Sequence, residues 1–363
     1  MLRCVIFFLI GLSAITTARG DSAKFVGSIG CKSSSCHGGA GEKRSQYITW
    51  SQKDFHTRAL AILLDARSAR IGEAIGISQP QSSARCTVCH SPFQSVEPAR
   101  LASSARPDEG VSCENCHGAA EPWLRGHTRT DWTYATRVSA GMHDLRSLYV
   151  RANSCVACHQ NVETDILAAG HPELVFELDS QSINEPKHWR EDDPAMGPRS
   201  WLIGQAVALR EISWAVNKAA PAEREEGNHL SAQMSALTWL LDRTGLGENV
   251  SALSSFVGIQ LHADEIALRA EKWNPTQEQL MSILRNFTDL NTEGQLLLPK
   301  MPRDACFYRA LRLTLALDRL SAALNLSPKI DKELSALRAD VQRHYDFDVG
   351  VFAQHLRAFR QKL

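Results

Sequence analysis

Four times along this chain, two closely spaced cysteines are followed at once by a histidine: CKSSSCH over 31–37, CTVCH over 86–90, CENCH over 113–117 and CVACH over 155–159. Histidine makes up 13 of the 363 residues, so chance would put one at all four places with odds on the order of one in a million. The grouping is the one that covalent haem needs. Two thiols add across the two vinyl groups on one porphyrin edge, and the adjacent imidazole reaches the iron from one face. The spacing predicts four c-type haems held by Cys31/Cys36, Cys86/Cys89, Cys113/Cys116 and Cys155/Cys158, with His37, His90, His117 and His159 as proximal iron ligands.

The first site has four residues between its cysteines instead of two. Ser33, Ser34 and Ser35 are small and can bulge outward, so a longer loop still spans both vinyl positions. The alternative there is a Cys31–Cys36 disulfide and three haems in all. For the whole set the alternative is zinc in two four-cysteine sites, but zinc does not require a histidine after every pair. Of the other two cysteines, Cys4 falls in the N-terminal apolar stretch and Cys306 stands alone, read as a buried thiol.

A carrier haem usually takes a second axial ligand, commonly His or Met. His56, in the helix-like stretch WSQKDFHTRALAILLDA, shares a face with Leu60, Leu63 and Leu64. His127 lies ten residues after His117, too near to wrap round the same haem, so it suits a neighbouring one. His171 precedes Pro172, which favours an extended approach. His56, His127 and His171 are the distal candidates, with His143 or His188 as a fourth and Met142 and Met196 behind them.

Residues 25–190 are rich in Ser, Gly, Ala and charge and poor in long apolar runs, so the porphyrins are expected to serve as their core. From about residue 197 helical periodicity takes over. Stripes such as Leu230/Met234/Leu237/Leu241, Leu280/Ile283/Leu284/Phe287 and Leu313/Leu317/Leu320/Leu324 predict six or seven helices with buried faces. Ser327-Pro328 reads as a helix start. His229, His262, His344 and His355 have no attachment site near them and read as structural. The expected fold is mainly α: a haem-packed domain over 25–190 with little regular structure, a polar connection over 181–198, and an antiparallel helical bundle over 197–363.

Arg3, the apolar run Cys4 to Ala14 and small residues around Ala18 and Gly20 read as a signal peptide over 1–20, implying export to the periplasm. That run is too short to span a bilayer, which takes about 20 apolar residues. Lys+Arg and Asp+Glu stand at 40 each, leaving no basic field for nucleic acid. Loss of the leader and gain of haem propionates make the mature holoprotein acidic, which favours a redox partner with a basic docking patch.

GCKSSSCHGG followed by WSQKDFH, then GVSCENCHGAAEPWLRGH, then CVACHQ leading to AAGHPELVFEL, together resemble the tetrahaem cytochrome c-554 family, whose haem arrangement is similar to that of hydroxylamine oxidoreductase. The resemblance covers roughly 28–190. It implies an electron carrier with closely packed haem pairs, mostly with two histidine ligands, and places His56, His127 and His171 at the family's distal positions. Members of that family can keep one haem five-coordinate. The widened first site and the long helical half depart from the small carrier's pattern. Two functions follow. One is an electron-transfer protein with every iron saturated. The other is an oxidoreductase with one open iron acting on a small nitrogen or sulfur compound.

Overall fold

The computed structural model describes residues 23–363 apart from 192, 194, 220–227, 247–248 and 299; the expected leader, with Arg3, Cys4, Ala18 and Gly20, lies outside the described residues, as does Pro194 of the 181–198 connection. Among the described residues all regular elements are helices, and the one β contact is an isolated parallel bridge between Phe25 and Leu101. No helix among them is long and apolar enough to cross a membrane.

The two halves differ in how they bury apolar surface. From 23 to 147 the buried apolar side chains are Ala23, Leu63, Ile71, Phe93, Ala120 and Trp123, and none belongs to the main apolar cluster. Over the same stretch Phe55, Ile62, Leu64 and Val88 face outward, Phe55 at 79% exposure. So few buried side chains cannot hold such a length of chain against its conformational entropy.

Polar staples hold the segment in place. The buried Glu114 carboxylate accepts from the backbone N–H of Val26 (3.0 Å), Gly27 (2.6 Å) and Ala120 (2.6 Å). Glu109 accepts from Ser28 through both its N–H and its hydroxyl.

The helix expected through His56 is interrupted. Gln46–Lys53 ends at Asp54, whose extended backbone breaks the hydrogen-bond ladder and whose carboxylate caps the 3-10 turn Phe55–Arg58. A short helix, Ala59–Ile62, then follows. Of the leucines expected on the face of His56, Leu63 is buried and Leu64 exposed.

Among the described residues the helical half contains eight α-helices: Met196–Lys218, His229–Arg243, Phe256–Ala270, Gln277–Thr288, Leu290–Leu296, Arg303–Ala323, Asp331–Asp340 and Val349–Arg360. The count exceeds six or seven because Asp289 takes an extended conformation and caps a separate short helix by accepting from Thr292 N–H at 2.7 Å. Met196–Lys218 is apolar on most sides and is the central element, packed chiefly against Phe256–Ala270, while His229–Arg243 packs against Arg303–Ala323. The expected stripes are buried: Leu237, Leu284, Leu313, Leu317 and Leu320 are fully enclosed. The Ser327-Pro328 start is displaced. That peptide is cis and sits in a turn, and the helix begins at Asp331, to which the Ser327 hydroxyl donates at 2.7 Å.

The apolar cluster extends beyond the bundle. It takes in Leu148, Ala152 and Val156 of the fourth attachment helix and Phe176 and Leu178 beyond it. At this seam the buried Arg312 guanidinium donates to Phe176 O (2.9 Å), Gln205 Oε1 (3.2 Å) and Glu177 Oε1 (3.4 Å).

Candidate metal centres

Three of the four motifs are helical. CTVCH ends the helix Ala84–His90, CENCH is the helix Cys113–His117, and CVACH closes Leu148–His159. Cysteines three apart on a helix share a face, so both thiols of each pair point the same way. CKSSSCH forms instead a tight turn, with Cys36 N–H donating to Ser33 O and His37 N–H to Cys31 O. Ser33, Ser34 and Ser35 are exposed on its outside. Gly38 follows where a Cβ would lie 1.8 Å from the Lys32 carbonyl oxygen.

All eight motif cysteines are free thiols, Cys31 and Cys36 included. Thiols of different motifs meet, Cys31 with Cys113 and Cys89 with Cys158, each within hydrogen-bonding reach. Burial pushes Cys116 up to about 12 and Cys155 up to about 11. Among the described residues no four-cysteine group converges for zinc; the one metal-capable cluster is Asp54, His56 and Glu185.

Each motif histidine faces one further histidine. Ring centres lie 6.1 Å apart for His37 and His127, 6.4 Å for His90 and His171, 6.4 Å for His117 and His188, and 6.0 Å for His159 and His56. A metal–imidazole bond of about 2 Å on each side, with about 1.2 Å from nitrogen to ring centre, separates two axial imidazoles on one metal by about 6.3 Å. The four gaps therefore match an iron held between two imidazoles.

The second ring nitrogen of the facing histidines is already engaged. His127 Nδ1 donates to Leu124 O (2.6 Å), His171 Nδ1 to Pro172 O (2.8 Å), and His188 Nδ1 lies 3.4 Å from Pro186 O. On the motif side His90 Nδ1 donates to Ala59 O (3.0 Å), and His37 Nδ1 lies 3.1 Å from Gln46 Oε1. A carbonyl oxygen only accepts, so Nδ1 carries the proton and the Nε2 lone pair is left for a metal. Burial, with the imidazoles of His188, His37, His143 and His127 adding to it, pushes His117 down to about 4. Burial likewise holds His90, His127 and His159 below the ordinary histidine range. Neutral imidazoles are the ligating form.

His56 is the exception. Its Nδ1 lies 3.0 Å from Asp54 Oδ1 and 3.3 Å from Glu185 Oε2, and the two carboxylates raise it to about 10.

His143 does not face a motif histidine. Its N–H donates to His117 O and its Nδ1 lies 2.8 Å from Cys116 O, so it braces the backbone of the third site. Met196 packs against the helical core. In the bundle His355 pairs with Asp340, His344 with Asp304, and His262 is buried. His229 lies 2.7 Å from the Tyr308 hydroxyl.

The residues that sequence reasoning missed are carboxylates: Glu114, Asp54 and Glu185. Asp54 and Glu114 stand in plain view, two before His56 and inside CENCH. Glu185 carries no such signal, because it reaches His56 only through the fold.

Paired imidazoles beside paired thiols define a c-type cytochrome, a protein that moves electrons through covalently held haem. Residues 23–118 match the family described as Cytochrome c554 and c-prime, and that part of the chain is c554-like. The match takes in the first three motifs and ends at Gly118, so CVACH and AAGHPELVFEL rest on their residues alone. No curated protein and no solved structure gives a significant match to the chain.

Proposed function

We propose that the chain is an exported tetrahaem electron carrier whose four irons each take two histidines: His37 with His127, His90 with His171, His117 with His188, and His159 with His56. The observation that carries this reading is the set of four ring separations between 6.0 and 6.4 Å, each joining one motif histidine to one other. Haem iron supplies reversible one-electron exchange. The chain's own residues do the rest. Nδ1 hydrogen bonds orient the rings of His37, His56, His90, His127, His171 and His188, burial keeps His90, His117, His127 and His159 neutral, and double ligation leaves no iron position for substrate. Thiols of the first and third motifs touch, as do those of the second and fourth, which supports two close-packed haem pairs for rapid internal transfer. A periplasmic setting and a partner with a basic patch belong to the same reading, from the leader and the acidic holoprotein.

The second reading, an oxidoreductase with an accessible iron, is favoured by one feature. A cavity of about 340 Å³ opens beside His171, lined also by Glu173, Asn228, His229, Tyr308 and His344.

The test is the pyridine haemochrome haem count together with the dithionite-reduced spectrum before and after carbon monoxide. Four haems per chain and no response to carbon monoxide support the carrier. A Soret change worth one haem moves the assignment to the enzyme. Fewer than four haems overturns the tetrahaem reading.

A further inference from the structure

We infer that Asp54 and Glu185 are positioning residues that give the fourth site the lowest reduction potential of the four. The inference rests on the proposed ligation of that iron by His56 and His159. At His37, His90, His127, His171 and His188 the Nδ1 partner is a neutral oxygen, a backbone carbonyl or the Gln46 side-chain amide. At His56 it is two carboxylates, at 3.0 and 3.3 Å.

Two separate segments bring these carboxylates in, and both are held. Asp54 is buried at the break after Gln46–Lys53, and the same Oδ1 accepts His56 N–H at 2.9 Å. The carbonyl of His56 accepts from Val111 N–H at 3.0 Å, so the turn cannot swing away. Glu185 ends the helix Leu178–Asn184 and is tied back by its N–H to Gln181 O at 2.9 Å.

A charged acceptor draws the Nδ1 proton away from the ring and makes Nε2 a stronger donor to iron. Stronger donation and two nearby negative charges both favour ferric over ferrous iron, which lowers the potential. An electron at the fourth site therefore runs downhill to its neighbours, among them the second site, whose Cys89 meets Cys158.

The experiment is a spectroelectrochemical titration of the holoprotein, with low-temperature electron paramagnetic resonance, on wild type, Asp54→Asn, Glu185→Gln and the double variant. Asn keeps the oxygen that caps the His56 turn while removing the charge. His56→Ala identifies the site, because the low-spin ferric signal it converts to high-spin belongs to that haem. The expected result is that this component is the lowest of the four in wild type. In the double variant its ferric-to-ferrous ratio at fixed potential falls at least tenfold, a rise of about 59 mV for a one-electron couple.

If His56→Ala leaves all four low-spin signals intact, the ligation itself is wrong and the inference falls with it. If His56→Ala converts one haem yet the double variant leaves its potential in place, ligation stands and the carboxylate inference is overturned. A potential that shifts when divalent cations are chelated would place a cation among Asp54, His56 and Glu185, and would also overturn the hydrogen-bond account.

Discussion

Removing the His188 imidazole should open one iron and leave the other three closed. Its ring centre stands 6.4 Å from that of His117 and no other histidine faces His117 in that way. The segment carrying it is held by contacts that alanine would not disturb. Arg151 pairs with Glu191 and lies over the Trp189 ring at 5.5 Å, and Arg190 pairs with Glu42 at 2.6 Å. The backbone should stay in place while the iron loses a ligand, so reduced His188→Ala should bind carbon monoxide at one haem in four. The readout is the amplitude of the Soret change, expected at about a quarter of that given when every haem is opened. Added imidazole should reverse it by filling the vacated volume. His56→Ala, His127→Ala and His171→Ala should each give the same quarter. His143→Ala is the internal control and should give none, since its ring braces Cys116–His117 from the backbone side. A silent His188→Ala, or a quarter response from His143→Ala, would refute the pairing.

Replacing both Cys31 and Cys36 by serine should lower the haemochrome count from four per chain to three; an unchanged count would mean that the CKSSSCH turn carries no haem. Gly126→Ala should loosen the first site, because a Cβ there would sit 2.1 Å from the Trp132 indole, one residue before His127. We expect a loss of about 1–3 kcal/mol from overpacking and carbon monoxide access at one haem, checked by thermal melt and spectrum. Arg312→Met should cost about 3–5 kcal/mol at pH 8, since it strands the buried Glu177 carboxylate, read as a fall of roughly 10 °C in melting temperature. Burial, with Asp179 beside it, holds Glu177 up to about 7. A raised carboxyl contributes stability that is complete below its unfolded value near 4.5 and lost as pH rises through about 7. The wild-type melt should therefore fall between pH 5 and 8, Glu177→Gln should flatten that slope, and the Arg312→Met penalty should shrink at pH 5. A penalty independent of pH would count against this account.

Much of the fold was legible in the sequence, though unevenly. The four CxxCH-type motifs are local, and a local motif needs no fold to be read. The leucine stripes of the bundle were equally plain, because a buried helix face must repeat every three to four residues. Two kinds of feature were not. His188 sits in an irregular segment without periodicity, so nothing along the chain separates it from His143, and only the three-dimensional return toward His117 does. Asp54 was hidden by an apolar pattern continuing through WSQKDFHTRALAILL, where the capping carboxylate won locally over helix propensity.

The spacing of the proposed ligands would let residues 23–147 do without an ordinary core. Each facing pair joins residues from well-separated parts of the chain, the nearest being His117 with His188 and the farthest His56 with His159. Loop closure grows only logarithmically, with each doubling of length costing about 0.6 kcal/mol, so long spacing is little worse than short. Iron bonds at both ends of such loops would act as cross-links in the stretch from 23 to 147, where few apolar side chains are buried. The outward-facing Phe55, Ile62, Leu64 and Val88 would then be surfaces for porphyrin to cover. The helical half has its own buried apolar cluster and needs no such help. Its contact with the haem-bearing half runs through the fourth attachment helix, where Leu148, Ala152 and Val156 join that cluster. The fourth site is thus anchored to the main apolar cluster of the described residues. It is also the site whose facing histidine is gripped by two carboxylates, so the most firmly held iron would also be the most finely set.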